Sequence, residues 1–473
     1  MEFGFVIMPQ FNSITPEITN KLAAVVGAGY IFTDTENLHK YSKDYTEDLS
    51  FPPEVVVKPG TAEEISAILK VCNEHTIPVT PRGAGTGLSG GSLPVHGGVV
   101  VSMERFNKIL DIDERNFQAT VEPGVINQVF QDTLIAKGLF YPPDPASKGS
   151  CFLGGNIAHS SGGPRALKYG VTKDYVLNLE VVLPNGEIIW TGANVLKNST
   201  GYNLTQLMLG SEGTLGIVTK IVFKIISYPK NNLLMLAPFA DAELACAAVS
   251  EVFRAGILPS ALEFMERSAV EISVNKLGVS FDFKPATEAY LLVEVDGNDL
   301  EALYPQCEAI AAVLEQFGAD DILLADTSEQ KEHLWKIRRS IGELVKAHSI
   351  YKEEDTVVPR AELPKLLRGV KEIGERYGFT SVCYGHAGDG NLHVNILKGD
   401  MSDDAWNNEL PKGIREIFGL CKLLGGTISG EHGIGYVQKP YMDIPFSEVQ
   451  LNLMRGIKQV FDPKGVMNPG KIF

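Results

Sequence analysis

Three histidines and a glutamate stand in two glycine-punctuated stretches late in the chain, His386-Ala387-Gly388-Asp389-Gly390-Asn391-Leu392-His393-Val394-Asn395 and Ser429-Gly430-Glu431-His432-Gly433. Imidazole nitrogens and carboxylate oxygens are donors that divalent metals take, and a further imidazole beside them is a ready proton acceptor. The surrounding glycines let backbone and substrate approach closely. These residue types suit a metal site with a base next to it. Alone, His-x6-His is not a standard zinc spacing and reads as two unrelated polar residues. A β-hairpin changes that reading. With strands at 380–384 and 392–397 joined through 387–391, His386 and His393 converge at the turn. Period-two alternation then puts His393 and Asn395 on one face, with Val394 and Ile396 in the core. The loop bearing Glu431 is a source for a third ligand, and three protein ligands leave positions open for a substrate. The bland alternatives are a structural metal, or histidines satisfied by hydrogen bonds.

The elements that must position these groups fall into two compositional regions. Residues 1–50 form a lead-in with helices expected after Thr15-Pro16 and over 36–42. Val55-Val56-Val57 reads as a buried strand. Thr61 and Glu64 make a capping box for a helix whose apolar stripe is Ile65, Ile68, Leu69 and Cys72, and residues 77–80 supply the next strand of a β-α-β unit. Short strands are expected at 98–102, 109–112 and 119–122, then a helix from Val125 to Gly138. Strands at 179–183 and 187–191 flank the turn Pro184-Asn185-Gly186. A strand at 215–225 closes this region. From about residue 231 glycine thins out. Strands at 233–237, 290–295 and 322–324 and helices at 241–255, 300–317 and 328–347 predict a smaller antiparallel sheet with helices on one face. The fold class is α+β, divided into a lead-in (1–50), a first domain (51–230), a substrate- and metal-binding cap (231–440) and a returning tail (441–473).

Two glycine-rich segments lie in the first region. Gly85-x-Gly87-x-x-Gly90 matches a dinucleotide fingerprint formally, but Gly91, Pro94, Gly97 and Gly98 rule out the helix that the motif must open. Its other use is an anion nest, successive backbone N–H groups around a pyrophosphate. The second segment is Gly154-Gly155-Asn156-Ile157-Ala158-His159-Ser160-Ser161-Gly162-Gly163. Glycine-rich turns are usually just turns, but a pair of them in one α+β domain points toward a dinucleotide site.

Bulk properties narrow the partners. The 473 residues carry 42 basic and 58 acidic side chains, a net charge of −16, so no nucleic-acid partner is expected. An anionic small molecule stays compatible, because a metal or a few local cations reverse the field near a site. No apolar run reaches the ~18 residues of a spanning helix. The start, Met1-Glu2-Phe3-Gly4-Phe5, lacks the basic flank and apolar core of a secretory signal. A cytoplasmic protein is expected, with peripheral membrane contact left open. Six scattered cysteines without a Cys-x-x-Cys pair read as reduced core thiols, with no iron–sulfur cluster.

Several motifs together carry a resemblance. Pro81-Arg82-Gly83-Ala84-Gly85-Thr86-Gly87, the run Pro143-Asp144-Pro145 leading into Gly154-Gly155-Asn156-Ile157-Ala158, Glu212-Gly213-Thr214-Leu215-Gly216-Ile217-Val218 and Asn468-Pro469-Gly470-Lys471 resemble the FAD-linked oxidases of the vanillyl-alcohol-oxidase type. The His386 and Glu431 segments are similar to those of the FAD-dependent D-2-hydroxy acid dehydrogenases. That family includes D-lactate dehydrogenase, the flavin subunit of glycolate oxidase and D-2-hydroxyglutarate dehydrogenase. The match runs in order from about Pro53 to the chain end.

The resemblance implies a two-subdomain FAD-binding domain plus an α+β cap with an antiparallel sheet. It implies that Arg82 to Thr86 hold the FAD pyrophosphate, that Gly154 to Ala158, Ser161 and Gly162 line the cofactor, that Glu212, Ile217 and Val218 meet the adenosine side, and that Asn468 and Lys471 close the flavin end. It assigns His386, His393 and Glu431 as ligands of one divalent metal, with zinc the first choice and manganese or iron also suited to such donors. Asn395 and His432 become substrate contacts, His432 also the general base, and Arg338 in Trp335-Lys336-Ile337-Arg338 points at the substrate; its bland alternative is a surface ion pair. Non-covalent FAD is expected, although His159 departs from the Thr or Glu anticipated there.

Where hydroxyglutarate enzymes carry Thr, this chain has Gly342. The position of their distal-carboxylate lysine falls on Glu353, with Lys352 one residue earlier; a one-residue bulge would restore Lys352 to the substrate. The expected reaction is therefore oxidation of a small D-2-hydroxy acid, D-lactate or glycolate, with hydride transferred to flavin N5, and D-2-hydroxyglutarate as the alternative. The acceptors the resemblance allows are a quinone, a cytochrome, an electron-transfer flavoprotein or a partner subunit, and a homodimer is the expected assembly. From other classes, a metallohydrolase leaves both glycine loops idle, and a non-catalytic flavin or metal binder is not bleached by any hydroxy acid.

Overall fold

The computed structural model describes residues 10–47 and 49–473; the reading of Met1 to Phe5 lies outside them. Two compact units emerge. The first gathers the described residues up to 161 with 171–228 and 431–473, the second residues 162–170 and 229–430. Residues 431–440, expected to end the cap, thus cluster with the first unit, and a nine-residue excursion from the glycine-rich region clusters with the second.

In the first unit, Thr15 caps the helix Pro16–Val26, and the Thr61 side chain accepts from the Glu64 amide to start Ala62–His75. The Glu64 carboxylate reaches the Gly60 amide rather than that of Thr61, so the box closes one residue early. Ile65, Ile68, Leu69 and Cys72 are buried against Val55, Val57, Val99 and Val101, the stripe expected from the helical period. The β-α-β unit forms with a third strand between its two. Val55–Val57 and Val79–Arg82 are not neighbours; each pairs in parallel with Val99–Ser102, which lies between them. The second sheet is antiparallel, in the order Ile109–Asp113, Gln118–Val121, Ile217–Lys224, Val176–Val182 and Ile188–Trp190. Its last hairpin turns at Gly186, whose φ of 86° lies in the region glycine favours.

In the second unit the sheet is larger than expected, with seven antiparallel strands. Their order is Leu323–Ala325, Asn231–Phe239, Ala289–Gly297, Ala261–Glu266, Thr380–Gly385, Asn391–Leu397 and Tyr351–Val357. Helices cover both faces rather than one. Arg267–Leu277 and Ser328–Lys346 pack on the face that carries Leu234, Leu292, Met265, Val382 and Tyr384. On the opposite face, Cys246 of Ala242–Arg254 lies near Cys383, and Lys371 of Leu363–Tyr377 pairs with Glu266 at 2.7 Å. Covering both faces is why these strands are buried nearly throughout and show little polar–apolar alternation. All six cysteines are free and buried, and burial pushes the Cys72, Cys383 and Cys421 thiols up to about 12. No helix among the described residues is long and apolar enough to cross a membrane.

The hairpin bearing the two histidines forms as expected, Thr380–Gly385 and Asn391–Leu397 joined by a short 3-10 turn at Ala387–Asp389. Gly390 ends that turn with φ 86°, and a Cβ there would lie 1.9 Å from the Val358 carbonyl oxygen. Gly390→Ala is therefore expected to cost about 2 kcal/mol or more, read as a lower urea midpoint of unfolding.

Candidate active site

The register of the seven-stranded sheet decides which side chains meet. His393 pairs with Tyr384 on one side and Asp355 on the other; Asn395 pairs with Val382 and Glu353. Cross-strand partners share a face, and Val382 and Tyr384 face the Ser328–Lys346 helix. Phe264 pairs with Gly385, so one further step places Glu263 opposite His386. Glu263, Tyr384, His393, Asn395, Asp355 and Glu353 therefore stand on a single face.

Each imidazole has a buried carboxylate near its Nδ1, and only that of His386 is in hydrogen-bond contact. His386 Nδ1 lies 2.9 and 3.0 Å from the two Glu263 oxygens, and His393 Nδ1 lies 3.5 Å from Asp355 Oδ1. The rings stand 5.3 Å apart and nearly perpendicular, at 85°. The carboxylate on Nδ1 of His386 fixes its tautomer and leaves Nε2 free of that bond, an arrangement common to metal-ligating histidines. Asp355 is itself held by Asn391 Nδ2 at 2.7 Å and Ser429 Oγ at 2.9 Å, and the Gly430 amide donates to its carbonyl. Glu431 and His432 follow Gly430 directly in the chain.

Glu263 escaped the sequence reading. It is 0% exposed in the strand Ala261–Glu266 and also receives Arg338 Nη2 at 2.5 Å. Burial pushes its carboxyl up, but the His386 ring and the Arg338 guanidinium outweigh that and hold it below the usual carboxylate range. The signal available was the pair Glu263 and Glu266 inside an apolar run, since buried carboxylates need partners. Arg338 is not a surface ion-pair residue; it is 5% exposed and lies 5.2 Å from the Tyr384 ring centroid. Its Nε, and both polar atoms of the fully buried Asn395 amide, have no hydrogen-bond partner among the described residues. Such orphaned groups are what a bound carboxylate or hydroxyl would satisfy.

Lys352 does not belong to this face, which corrects its assignment to the substrate. The pairing of 351–357 with 391–397 is continuous and carries no bulge, so Lys352 sits opposite Ile396 on the far side, its Nζ 5.4 Å from the Trp406 ring centroid. Glu353 takes the inner position.

In the first unit the glycine motifs assemble. Among the described residues, the backbone amides of residues 83–88 donate to no protein acceptor, as an anion nest requires. Gly213 packs on Pro81, where a Cβ would be 2.5 Å from the proline Cγ, and Asn468 Nδ2 donates to the carbonyls of Gly91 (2.9 Å) and Glu212 (2.8 Å). The first loop, the Glu212 turn and the C-terminal motif are thus brought together. Buried polar atoms with no hydrogen-bond partner among the described residues, Asn156 Nδ2, His159 Nδ1, Ser160 Oγ and Asn468 Oδ1, fit a polar cofactor.

Several residues matched to the cofactor have protein partners instead. Arg82 is buried and donates to the Lys43 carbonyl at 2.7 Å and to Ser92 Oγ at 3.3 Å, bracing the loop. Glu212 accepts from the Ile434 amide at 2.8 Å and the Gly435 amide at 2.7 Å, clamping the backbone that follows His432. The His432 carbonyl in turn accepts from Ser89 Oγ at 3.0 Å. Ile217 is buried in the core beside Val182, whereas Val218 is partly exposed. Residues 153–159 form a short helix, not an open loop; Gly154 permits its contact with Pro123, while Gly155 faces open space. The Pro143 carbonyl accepts from Asn127 and Gln131, and Asp144 is buried. Ser161 closes its segment and Gly162 opens the one that clusters with the second unit. Lys471 Nζ donates to the Leu93 carbonyl at 2.6 Å, and burial brings its ammonium down to about 8.

Comparison with known proteins identifies the family. Residues 228–472 match the C-terminal domain of FAD linked oxidases, and residues 53–192 match an FAD binding domain. The chain is 40% identical to a D-lactate dehydrogenase of Anaerostipes hadrus over 474 residues, covering 98% of each. It is 39% identical to glycolate oxidase subunit GlcD of Bacillus subtilis (strain 168) over 463 residues, covering 97% of each. The fold is similar to that of 4-ethylphenol oxidase from Gulosibacter chungangensis, with a TM-score of 0.77 at 18% identity over 98% of each chain. The chain belongs to the FAD-linked oxidases and is an FAD-dependent oxidoreductase.

Proposed function

We propose that this protein oxidises a small D-2-hydroxy acid, of the D-lactate or glycolate type, to the 2-oxo acid. The observation that carries this reading is the pair of buried imidazoles, His386 bonded through Nδ1 to Glu263 and His393 near Asp355, on one sheet face with the Asn395 amide, which has no partner among the described residues, and facing the helix that carries the Arg338 guanidinium. The names of the relatives, D-lactate dehydrogenase and glycolate oxidase subunit, support the substrate class.

FAD, when bound on the 83–88 amides and the groups around Asn156 and Asn468, supplies the acceptor for the hydride leaving the α-carbon. A divalent ion, zinc in the first instance, would be held by His386, His393 and Glu431 and would acidify the hydroxyl of a bidentate α-hydroxy carboxylate. Asn395 and Arg338 orient the carboxylate, and His432 accepts the hydroxyl proton. The clamp of Glu212 on the Ile434 and Gly435 amides and the Ser89 bond to the His432 carbonyl hold that base on a fixed backbone.

The test is the visible spectrum of the purified protein during anaerobic addition of D-lactate or glycolate, before and after chelation. The expected result is a yellow protein that bleaches with the acid and no longer bleaches once chelated, flavin retained. A colourless protein would remove the reading altogether. Bleaching that is indifferent to complete metal removal would remove the ion's part.

A further inference from the structure

Residues 162–170, which cluster with the second unit, form a loop whose neck is closed where the Thr172 amide and hydroxyl donate to the Ser161 carbonyl at 3.0 and 2.8 Å. Two buried carboxylates of the strand Ala289–Gly297 hold this loop. Glu294, 1% exposed, lies 3.5 Å from Arg165 Nη2, and Asp296 accepts from Lys168 Nζ and, at 2.8 Å, from the Tyr169 hydroxyl. A buried carboxylate is costly without a partner, so the acids fix the loop while the loop satisfies the acids. Glu294 also accepts from Trp335 Nε1 at 3.0 Å, one helical turn before Arg338. Leu167 stands between the two anchored cations. A Cβ at Gly388 would lie 2.3, 2.9 and 3.0 Å from Leu167 Cδ2, Cδ1 and Cγ, so the leucine fills the space that a side chain at 388 would take. The short helix that carries Leu167, Ala166–Tyr169, also lies against the strand Ala261–Glu266, which supplies Glu263.

We infer that the 162–170 loop is a bracket for the turn that follows His386, and that Leu167 is a positioning residue for that histidine. The inference rests on the proposed metal site of His386, His393 and Glu431. The turn Ala387–Asp389 needs support from outside, because three residues of 3-10 helix have little stability of their own. Its bonds are long as well: the His386 carbonyl is shared by the Asp389 and Asn391 amides, both at 3.2 Å. Leu167 supplies the support by packing on Gly388, and the buried ion pairs on either side keep the leucine in place. It touches no reacting group and acts through the turn. A shift of 387–389 is passed to the imidazole at its start, and a ligand held off its direction binds a metal less well.

The experiment measures zinc affinity of the flavin-loaded protein by competition with a chromophoric chelator, alongside anaerobic flavin reduction by D-lactate. Leu167→Ala should lower zinc affinity about tenfold, the lower end of what losing support behind a ligand costs. Leu167→Met, which refills the volume, should stay within about twofold of the wild type. Gly388→Ala sets a methyl group against the leucine and should also lower affinity about tenfold; φ at 388 lies outside the region glycine favours, so the loss comes from this contact. The double variant, Leu167→Ala with Gly388→Ala, makes room for that methyl and should recover most of the affinity. Two changes that merely destabilised the fold would add instead. Gly388→Ala leaves no cavity and tests the same contact if Leu167→Ala does not fold. Unchanged zinc affinity in both single variants overturns the inference, as do losses that add in the double variant. A wild type that binds no zinc removes the ion from the proposed reaction too. A wild type that binds zinc and is bleached by D-lactate, with affinity indifferent to these substitutions, removes the part of Leu167 alone.

Discussion

His432→Ala is expected to retain FAD and metal yet lose flavin reduction by about 10²–10⁴-fold, the usual contribution of a positioned base. The variant separates base from scaffold because the backbone around residue 432 is held independently of its imidazole. Ser89 Oγ binds the His432 carbonyl, and Glu212 takes the next two amides but one. Removing the ring leaves both restraints in place. The checks are stopped-flow flavin reduction by D-lactate under anaerobic conditions, the flavin absorbance of the purified variant, and its metal content by elemental analysis. A reduction rate equal to the wild type removes His432 from the chemistry. Loss of flavin or metal would instead assign it a binding role.

The second large effect is expected at Glu263. Glu263→Ala leaves Arg338 buried without its counter-charge and His386 Nδ1 without its acceptor. Breaking a buried ion pair from one side typically costs about 3–5 kcal/mol, and loss of a carboxylate behind a metal-bound histidine typically lowers metal affinity about 10–100-fold. The two effects can be told apart with a neighbour on the same strand. Glu266 points to the opposite face, where it pairs with Lys371 at 2.7 Å and accepts from the Cys383 amide at 2.8 Å. Glu266→Ala should lower the urea midpoint while leaving metal retention unchanged; Glu263→Ala should lower both. Equal metal retention in the two variants would make Glu263 a packing residue and no more. Glu263→Gln, which keeps an acceptor for His386 but not the charge facing Arg338, should fall between the wild type and Glu263→Ala in stability.

Glu353 and its neighbour Lys352 point to opposite faces of their strand. Counting along the sequence leaves Lys352 and Glu353 both candidates for the inner face, because a bulge exchanges them at no visible cost in composition. The unbroken pairing of Tyr351–Val357 with Asn391–Leu397 decides for Glu353. It turns the feature expected to repel a second carboxylate into part of a defined arrangement with Tyr384 and Lys346.

What was legible from the residues alone is local. The Thr15 and Thr61 caps, the apolar stripe of Ala62–His75, the Gly186 hairpin and the turn at Gly390 between the two histidines all arise from side-chain periodicity and from backbone conformations that only certain residues adopt. The ordered motifs likewise pointed to an FAD-linked oxidase, since loop chemistry is written in contiguous residues. The pairings between distant segments had no such signature. The sheet of the second unit was expected to be small and covered on one side because the Ala261–Glu266 strand, uniformly buried, shows no alternation to announce it. Glu263 meets His386 across 123 positions, and Glu212 clamps Ile434 across 222; each contact depends on strand register and on how the chain returns. Residue type and spacing therefore determined which groups can do chemistry and the turns that carry them. Tertiary structure alone decided which carboxylate lies by which histidine, which of two neighbouring residues shares the histidines' face, and which motif residues brace a loop, because burial assigns each polar group the partner that its final surroundings supply.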